Sequence, residues 1–204
     1  VVVVNAPTGN TLAAEEHTIA LMLALARHIP QAHASLKSGE WRRGDFIGIE
    51  VRNKTLGIIG LGKVGSEVAH RAKGLDMKVI AFDPYVSSSY AQNLGVDVVP
   101  LEDLLKNSDF ITVHTPLTES TKSLIGEKEL SLVKRDCRLI NVARGGIINE
   151  EALFKAVEEG RVAGAAVDVF PQEPPKDSVL FKSSKIIVTP HLGASTVEAQ
   201  AGVS

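Results

Sequence analysis

The sequence predicts an α/β fold, a doubly wound parallel sheet flanked by helices, on three observations. Short Val- and Ile-rich runs recur without polar alternation, as in strands buried on both faces. Helical patterns separate these runs, as the crossovers between parallel strands require. One strand–helix junction carries glycine at Gly57, Gly60, Gly62 and Gly65, which is costly unless the backbone must do something a side chain would block.

The bulk numbers agree with such a domain. The 204 residues are 44% hydrophobic and 23% charged, with net charge −2, enough for a substantial core. That balance carries no electrostatic footprint for nucleic acid or an anionic membrane, so neither is expected as a partner. The apolar run 19–26 is too short to span a bilayer, and no basic region precedes a cleavage site. The single cysteine, Cys137, rules out an internal disulfide and fits a reducing, cytoplasmic compartment. The sequon Asn53-Lys54-Thr55 would matter only in a secreted protein and is read as chance.

In chain order, Val1-Val2-Val3-Val4 reads as an apolar strand, and Asn5-Ala6-Pro7-Thr8-Gly9-Asn10 as turns. A helix is expected from Thr11 as N-cap, with Ala14, Ile19, Leu21, Met22, Leu23, Leu25 and Ala26 apolar on most sides. Such a helix packs between layers or against another subunit. Gly39 to Gly48, with Trp41 and two arginines, reads as a loop. Strands are expected at 55–59, 78–82, 96–99, 110–113, 138–142, 163–167 and 186–188. Helices are expected at 63–74, 101–106 and 149–159, with a final one from Ala194. With no initiator methionine, and a helical pattern running to Ser204, the chain is expected to be a piece of a longer protein.

Gly60-Leu61-Gly62-Lys63-Val64-Gly65 is G-x-G-x-x-G, placed after a strand and opening a helix. A second strand ends at Asp83, 18 residues past Gly65, which completes the dinucleotide fingerprint of a Rossmann-type domain. Gly60 permits the tight turn, Gly62 lets the backbone approach a pyrophosphate, and Gly65 lets helix and strand pack closely. The helix N-terminus supplies unpaired N–H donors to the anion. Asp83 would accept from the ribose 2′-hydroxyl, and no Arg or Lys follows in Pro84-Tyr85-Val86-Ser87-Ser88-Ser89 to hold a 2′-phosphate. The expected cofactor is therefore NAD rather than NADP. Gly57 to Lys63 also reads G-x-x-x-x-G-K, a phosphate loop, but Val64 brings no hydroxyl for Mg²⁺.

Ligands of open α/β sheets lie beyond the carboxyl ends of the strands, and four strand ends there are polar. They are His114-Thr115-Pro116, Ala143-Arg144-Gly145-Gly146, Asp168 with the run to Glu173-Pro174-Pro175, and Thr189-Pro190-His191-Leu192-Gly193-Ala194. Each has an ordinary reading. Arg-Gly-Gly is often a surface turn, a glutamate before prolines is usually solvated, Asp168 could cap a loop and His114 could bond backbone. His17, His28, His33 and His70 lie in helical patterns and are read as structural. The combination suits redox chemistry on a hydroxy acid. His191 would exchange the hydroxyl proton, with Glu173 orienting its ring. Arg144 would bind a carboxylate and polarise the carbonyl oxygen. Asp168 would meet the nicotinamide side. The sequence has no G-x-S-x-G elbow, no spaced Cys-His pair and no metal-ligand cluster.

These residues resemble the D-2-hydroxyacid dehydrogenases over essentially the whole length. The likeness is carried by "NAPTGNTLAAEEHTIALMLALAR", "GIIGLGKVGSEVA", "FITVHTPLTEST", "LINVARGGIINEEAL", "AAVDVFPQEPP" and "TPHLGASTVEAQ". The resemblance implies catalytic roles for Arg144, Glu173 and His191. It also implies cofactor contacts at Gly60, Gly62, Lys63, Val64, Gly65, Asp83, Thr115, Val142, Ala143, Arg144, Asp168, His191, Leu192, Gly193 and Ala194, and no metal. The stretch "HLGASTVEAQ" leans towards members that oxidise 3-phosphoglycerate, the entry step of serine biosynthesis. Residues 11–194 would form the NAD-binding domain, 1–10 the end of a crossover from a substrate domain largely absent here, and 195–204 the start of the helix returning to it. Family members also lead to the expectation of a homodimer or higher homo-oligomer, with the helix from Thr11 in the interface. Glyoxylate or hydroxypyruvate reductases, D-lactate-type enzymes and an NAD-sensing corepressor of the same fold are the alternative implications.

Overall fold

In the structure, a computed structural model describing residues 10–201, seven parallel strands form one sheet. The expected strand at Val1–Val4, the turns through residue 9 and residues 202–204 lie outside the described residues. The strands are β1 (Thr55–Ile59), β2 (Lys78–Phe82), β3 (Asp97–Val98), β4 (Phe110–Val113), β5 (Arg138–Asn141), β6 (Gly164–Val167) and β7 (Ile186–Val188). Their spatial order is β3-β2-β1-β4-β5-β6-β7. The chain winds outward from β1 in one direction and then from β4 in the other. The crevice between the carboxyl ends of β1 and β4 is therefore the switch point where ligands bind in such sheets.

Alternation along each strand divides the core between two faces. Leu56, Ile58, Phe110, Ile140, Ala166 and Ile187 point to one layer, and Ile59, Ile111, Val113, Leu139, Ala165 and Val167 to the other. The first layer is covered by α1 (Thr11–Ala26) and α3 (Lys63–Gly74), the second by α5 (Leu101–Asn107) and α7 (Glu150–Glu158). Each fully buried Leu or Ile contributes about 1.5–3 kcal/mol relative to exposure, so both faces need apolar runs. That is why the strands show no polar alternation.

On α1, Glu15, Thr18, Met22 and Leu25 are buried at helical spacing, and the helix packs against α3 and over β5 and β6. It is thus a layer of this domain's own core. Asn10, not Thr11, stands at its N-cap position, with no side-chain cap bond. His28 turns the chain through a left-handed φ of 54°, and α2 (Ile29–Lys37) starts afresh with Pro30 in its first turn. Within the expected loop 39–48, Arg43–Phe46 forms a single 3₁₀ turn. Two further helices went unpredicted, α4 (Ser88–Leu94) and the one-turn α6 (Glu127–Leu130). Ser87 starts α4 by accepting from the Tyr90 N–H, so the serine run that reads as loop is a cap. The last helix, α8 (Val197–Ala201), begins after the expected Ala194, because 191–194 is bound up in a loop.

Candidate active site

The glycine turn is fixed by close approach. Gly60 has φ 96°, and a Cβ there would stand 2.8 Å from the His114 carbonyl. A Cβ on Gly65 would lie 2.1 Å from Gly60 O, so any side chain would push α3 off β1. A Cβ on Gly62, by contrast, would meet nothing within 4 Å. Gly62 is also the N-cap of α3, and no side chain caps it. No side chain among the described residues caps the first turn of that helix, and its Lys63 and Val64 border a cleft, as an anion site requires. Asp83, at the end of β2, ties this turn down: Oδ2 accepts from Leu61 N–H at 2.8 Å and Oδ1 from Tyr85 N–H at 2.8 Å. An ionised carboxylate has four acceptor sites, so two bonds leave room for a ribose hydroxyl.

Over the switch point lies a cleft of about 450 Å³. Lys63 and Val64 at the start of α3, Thr115 after β4, Val142, Ala143 and Arg144 after β5, and His191, Gly193 and Ala194 after β7 line it. Asn10 and, from α1, Thr11 and Ala14 also line it. Four segments far apart in sequence thus converge where the topology brings their strand ends together. Of the other expected contacts, Gly60, Gly62, Gly65, Asp83, Asp168 and Leu192 are not part of this lining, and Gly62 and Leu192 are exposed beside it. The Thr115 Oγ1 is buried in the cleft wall with no hydrogen-bond partner among the described residues. An orphaned hydroxyl in a groove of this shape fits a ligand that completes it, and the uncapped helix N-terminus fits that ligand's phosphates. Beside Thr115, His114 bonds the Thr112 hydroxyl at 2.9 Å, rather than backbone. Burial pushes its imidazole down to about 4, so it is neutral at pH 7 and carries no proton traffic there.

His191 and Glu173 form a pair, with Nδ1 2.5 Å from Oε2. Glu173 is held from its other side, where Oε1 accepts from Phe170 N–H at 3.0 Å. Partial burial works to raise the Glu173 carboxyl, but His191 and the Phe170 N–H outweigh it and hold it below the ordinary carboxylate range. Since an ionised carboxylate only accepts, the Nδ1–H of His191 donates and Nε2 is left for other work. Arg144 is exposed, donates from Nη1 to Ala143 O at 2.6 Å and makes no ion pair among the described residues. A second cavity, of about 260 Å³ and lined by Leu117, Phe170, Pro171 and Glu173 among others, shares Arg144 and His191 with the first. A base, its orienting carboxylate and a guanidinium without an ion pair among the described residues therefore stand where two ligand spaces meet.

The Asp168 side chain is fully buried beneath the 191–193 loop, next to Gly193 of the cleft lining. Oδ1 accepts from Thr189 Oγ1 at 2.5 Å and from Leu192 N–H at 2.8 Å, and Oδ2 from Gly193 N–H at 2.9 Å. Burial works to raise its carboxyl, but these donors and His17 hold it below the ordinary range. His17, read from sequence as a structural helix residue, reaches both Asp168 Oδ1 and Thr189 Oγ1 at 3.3 Å. No sequence signal marked it, since its partner is 172 residues away. Among the described residues no group of His, Cys, Asp and Glu could hold a metal ion. Nor is any helix among them long and apolar enough to cross a membrane.

Comparison with known proteins adds the following. The family described as "D-isomer specific 2-hydroxyacid dehydrogenase, NAD binding domain" matches residues 19–193. The chain is 52% identical over 204 residues to D-3-phosphoglycerate dehydrogenase of Bacillus subtilis, covering all of this chain and 39% of that protein. It is 53% identical over 203 residues to chloroplastic D-3-phosphoglycerate dehydrogenase 2 of Arabidopsis thaliana, covering 99% of this chain and 32% of that protein. The chain thus spans about a third to two fifths of the length of these relatives. Among solved structures, a glyoxylate reductase from Paecilomyes thermophila matches with TM-score 0.91 at 33% identity, over 97% of this chain and 60% of that one.

Proposed function

The chain belongs to the D-isomer specific 2-hydroxyacid dehydrogenase family, of which it is an NAD-binding domain, and from that premise we propose that it serves the NAD-dependent oxidation of 3-phosphoglycerate to 3-phosphohydroxypyruvate. The observation that carries the chemistry is the His191–Glu173 pair beside the exposed guanidinium of Arg144, which has no ion pair among the described residues, at the junction of two cavities. The choice of 3-phosphoglycerate rests on the relatives of that name. Bound in the cleft, NAD would supply the hydride acceptor. Lys63, Val64 and the uncapped N–H groups of α3 would hold its pyrophosphate, Asp83 its ribose, and Thr115 Oγ1 a further polar group.

Arg144 binds the substrate carboxylate and steadies the oxygen on which charge changes as the carbonyl forms. His191 takes the hydroxyl proton on Nε2, because Nδ1–H is committed to Glu173. Glu173 fixes the ring orientation and balances the imidazolium so formed. Residues 11–194 make up the cofactor domain in this reading, with 1–10 and 195–204 leading to the substrate domain.

The same reading includes a homodimer. Ile29 (53% exposed), Leu36 (58%), Trp41 (80%) and Ile47 (81%) gather on α2 and the segment after it, an apolar surface that a second copy would cover. On α1, Ala13, Leu21, Met22, Leu25 and Ala26 are already buried inside this chain. A reducing, cytoplasmic setting accords with Cys137, buried and with its thiol pushed up to about 12 by that burial.

Calorimetric titration with NAD, and NADH absorbance with a panel of 2-hydroxy acids, test the proposal on the protein that carries this chain. Replacing the proposed base, as in His191→Ala, should lower turnover about 10²–10⁴-fold and leave NAD affinity largely intact. Near-normal turnover in that variant would mean that the base is elsewhere.

A further inference from the structure

We propose that His17 is a positioning residue: from α1 it donates its Nε2–H to Asp168 Oδ1 and Thr189 Oγ1, and so holds the loop that presents His191. The inference deepens the reading above and rests on it for His191's role. Its direction of bonding follows from the partners. Thr189 spends its hydroxyl hydrogen on Asp168 Oδ1 at 2.5 Å, so its oxygen can only accept from His17. Asp168, an ionised carboxylate, can only accept as well. The imidazole nitrogen facing both, 3.3 Å from each, must therefore carry the hydrogen.

What the cluster holds is a conformation that needs holding. His191 has φ 53°, in the left-handed region that side chains other than glycine rarely adopt. Its own N–H donates to Asp168 O at 2.9 Å, while the next two N–H groups, of Leu192 and Gly193, donate to the Asp168 carboxylate. Main chain and side chain of one buried aspartate thus grip three successive residues. The Thr189 and loop donors come from the same β7 end that they restrain. His17 is the Asp168 partner that enters from another element. It follows Ala14 by three residues on α1, hence on the same helix face, and Ala14 lines the cofactor cleft. A Cβ on Gly193 would lie 3.9 Å from Ala14 Cα, so loop and helix are already in close approach. His17 therefore ties the cofactor-facing wall to the proton-transfer loop. A side chain that only filled the space between α1 and the sheet would need no donor at this position.

The test compares His17→Leu, His17→Gln and Thr189→Val with the unmodified protein, by residue-resolved amide hydrogen exchange and by kinetics. In His17→Leu, exchange at Leu192 and Gly193 should rise about tenfold or more while Leu56 and Ile58 in β1 keep their rates. The kcat should fall on the order of ten- to a hundredfold with the KM for NAD within about twofold, since misplacement of a reacting group costs rate before binding. His17→Gln, which can return an N–H to the same acceptors, should recover most of both losses, and Thr189→Val should mimic His17→Leu more mildly. Unchanged exchange at Leu192 and Gly193 overturns the proposal, as does exchange that rises equally through β1. If the unmodified protein turns over no 2-hydroxy acid, the functional reading fails, and the exchange pattern alone decides what His17 holds.

Discussion

The two halves of the cleft are built on different principles. On the β1–α3–β2 side the geometry is set by what is missing: no Cβ at Gly60 and Gly65, and open space at Gly62. On the β5–β6–β7 side it is set by side chains bonding one another, with Glu173 on His191 and Asp168 beneath the loop that bears it. The first half is a contiguous string that backbone sterics compel. The second is assembled from strand ends that only the sheet order brings together. A site built by sterics should fail by losing fold and cofactor. One built by side-chain contacts should fail by losing turnover while the fold survives, as expected above for His191→Ala and His17→Leu.

The largest effect should come from the steric half. Gly65→Ala places a methyl 2.1 Å from Gly60 O, inside the wall between α3 and β1. Neither backbone can yield without breaking the turn, so the variant should lose at least about 3 kcal/mol of stability, or NAD binding altogether. Chemical denaturation and NAD calorimetry would show it. If Gly65→Ala keeps both within twofold, the glycine turn is less constrained than its geometry indicates.

The same contrast explains what could be read from sequence. All seven strands stand within a residue or two of their expected places, because a strand buried on both faces must be apolar throughout. The fingerprint and Asp83 were legible because their spacing along the chain is also their spacing in space. The strand-end positions of Arg144, Glu173 and His191 were legible too, though nothing short of the fold could state the 2.5 Å contact of the last two. The direction of Asp168 was not legible. A carboxylate at a strand end can face the crevice or fold beneath a loop, and the N–H groups of Leu192 and Gly193 decided it. His17 was hidden for the same reason, and α4 was hidden by a cap that looks like a loop.

A smaller effect is expected at Asp83, which belongs to the steric half but acts through a charge. Its carboxylate would stand against a 2′-phosphate, so NADP should bind on the order of a hundredfold more weakly than NAD. Asp83→Ala should narrow that ratio to within about tenfold, mainly by weakening NAD, since hydrogen bonds to a charged group are worth about 1.5–3 kcal/mol. The variant also frees the Leu61 and Tyr85 N–H groups, which adds a modest loss of stability. Parallel titrations with the two dinucleotides check it, and equal affinity in the unmodified protein would refute the role given to Asp83.

The last effect concerns the joint between the halves. Glu15 on α1 is fully buried, and its Oε1 lies 2.7 Å from Arg71 Nε on α3, so the ion pair links the helix walling the loop side to the helix of the glycine turn. Burial pushes the Glu15 carboxyl from 4.5 up to about 7, against the pull of Arg71. An acid whose folded pKa is raised binds more protons folded than unfolded between those two values. Stability then falls as pH rises from about 4.5 to about 7 and levels off above, the reverse of the contribution from Asp168 or Glu173, whose lowered values make stability fall as pH drops below the ordinary carboxylate range. A rise from 4.5 to about 7 is worth about 3 kcal/mol at most. Glu15→Gln removes that titration and leaves Arg71 its second partner, Glu67, at 2.7 Å. The Tm of the variant relative to the unmodified protein should therefore rise by roughly 5–10 °C between pH 5 and pH 8. Thermal melts at the two pH values decide it: a constant difference would mean that Glu15 stays ionised in its pair throughout, and that the joint between the halves is held by charge at every pH.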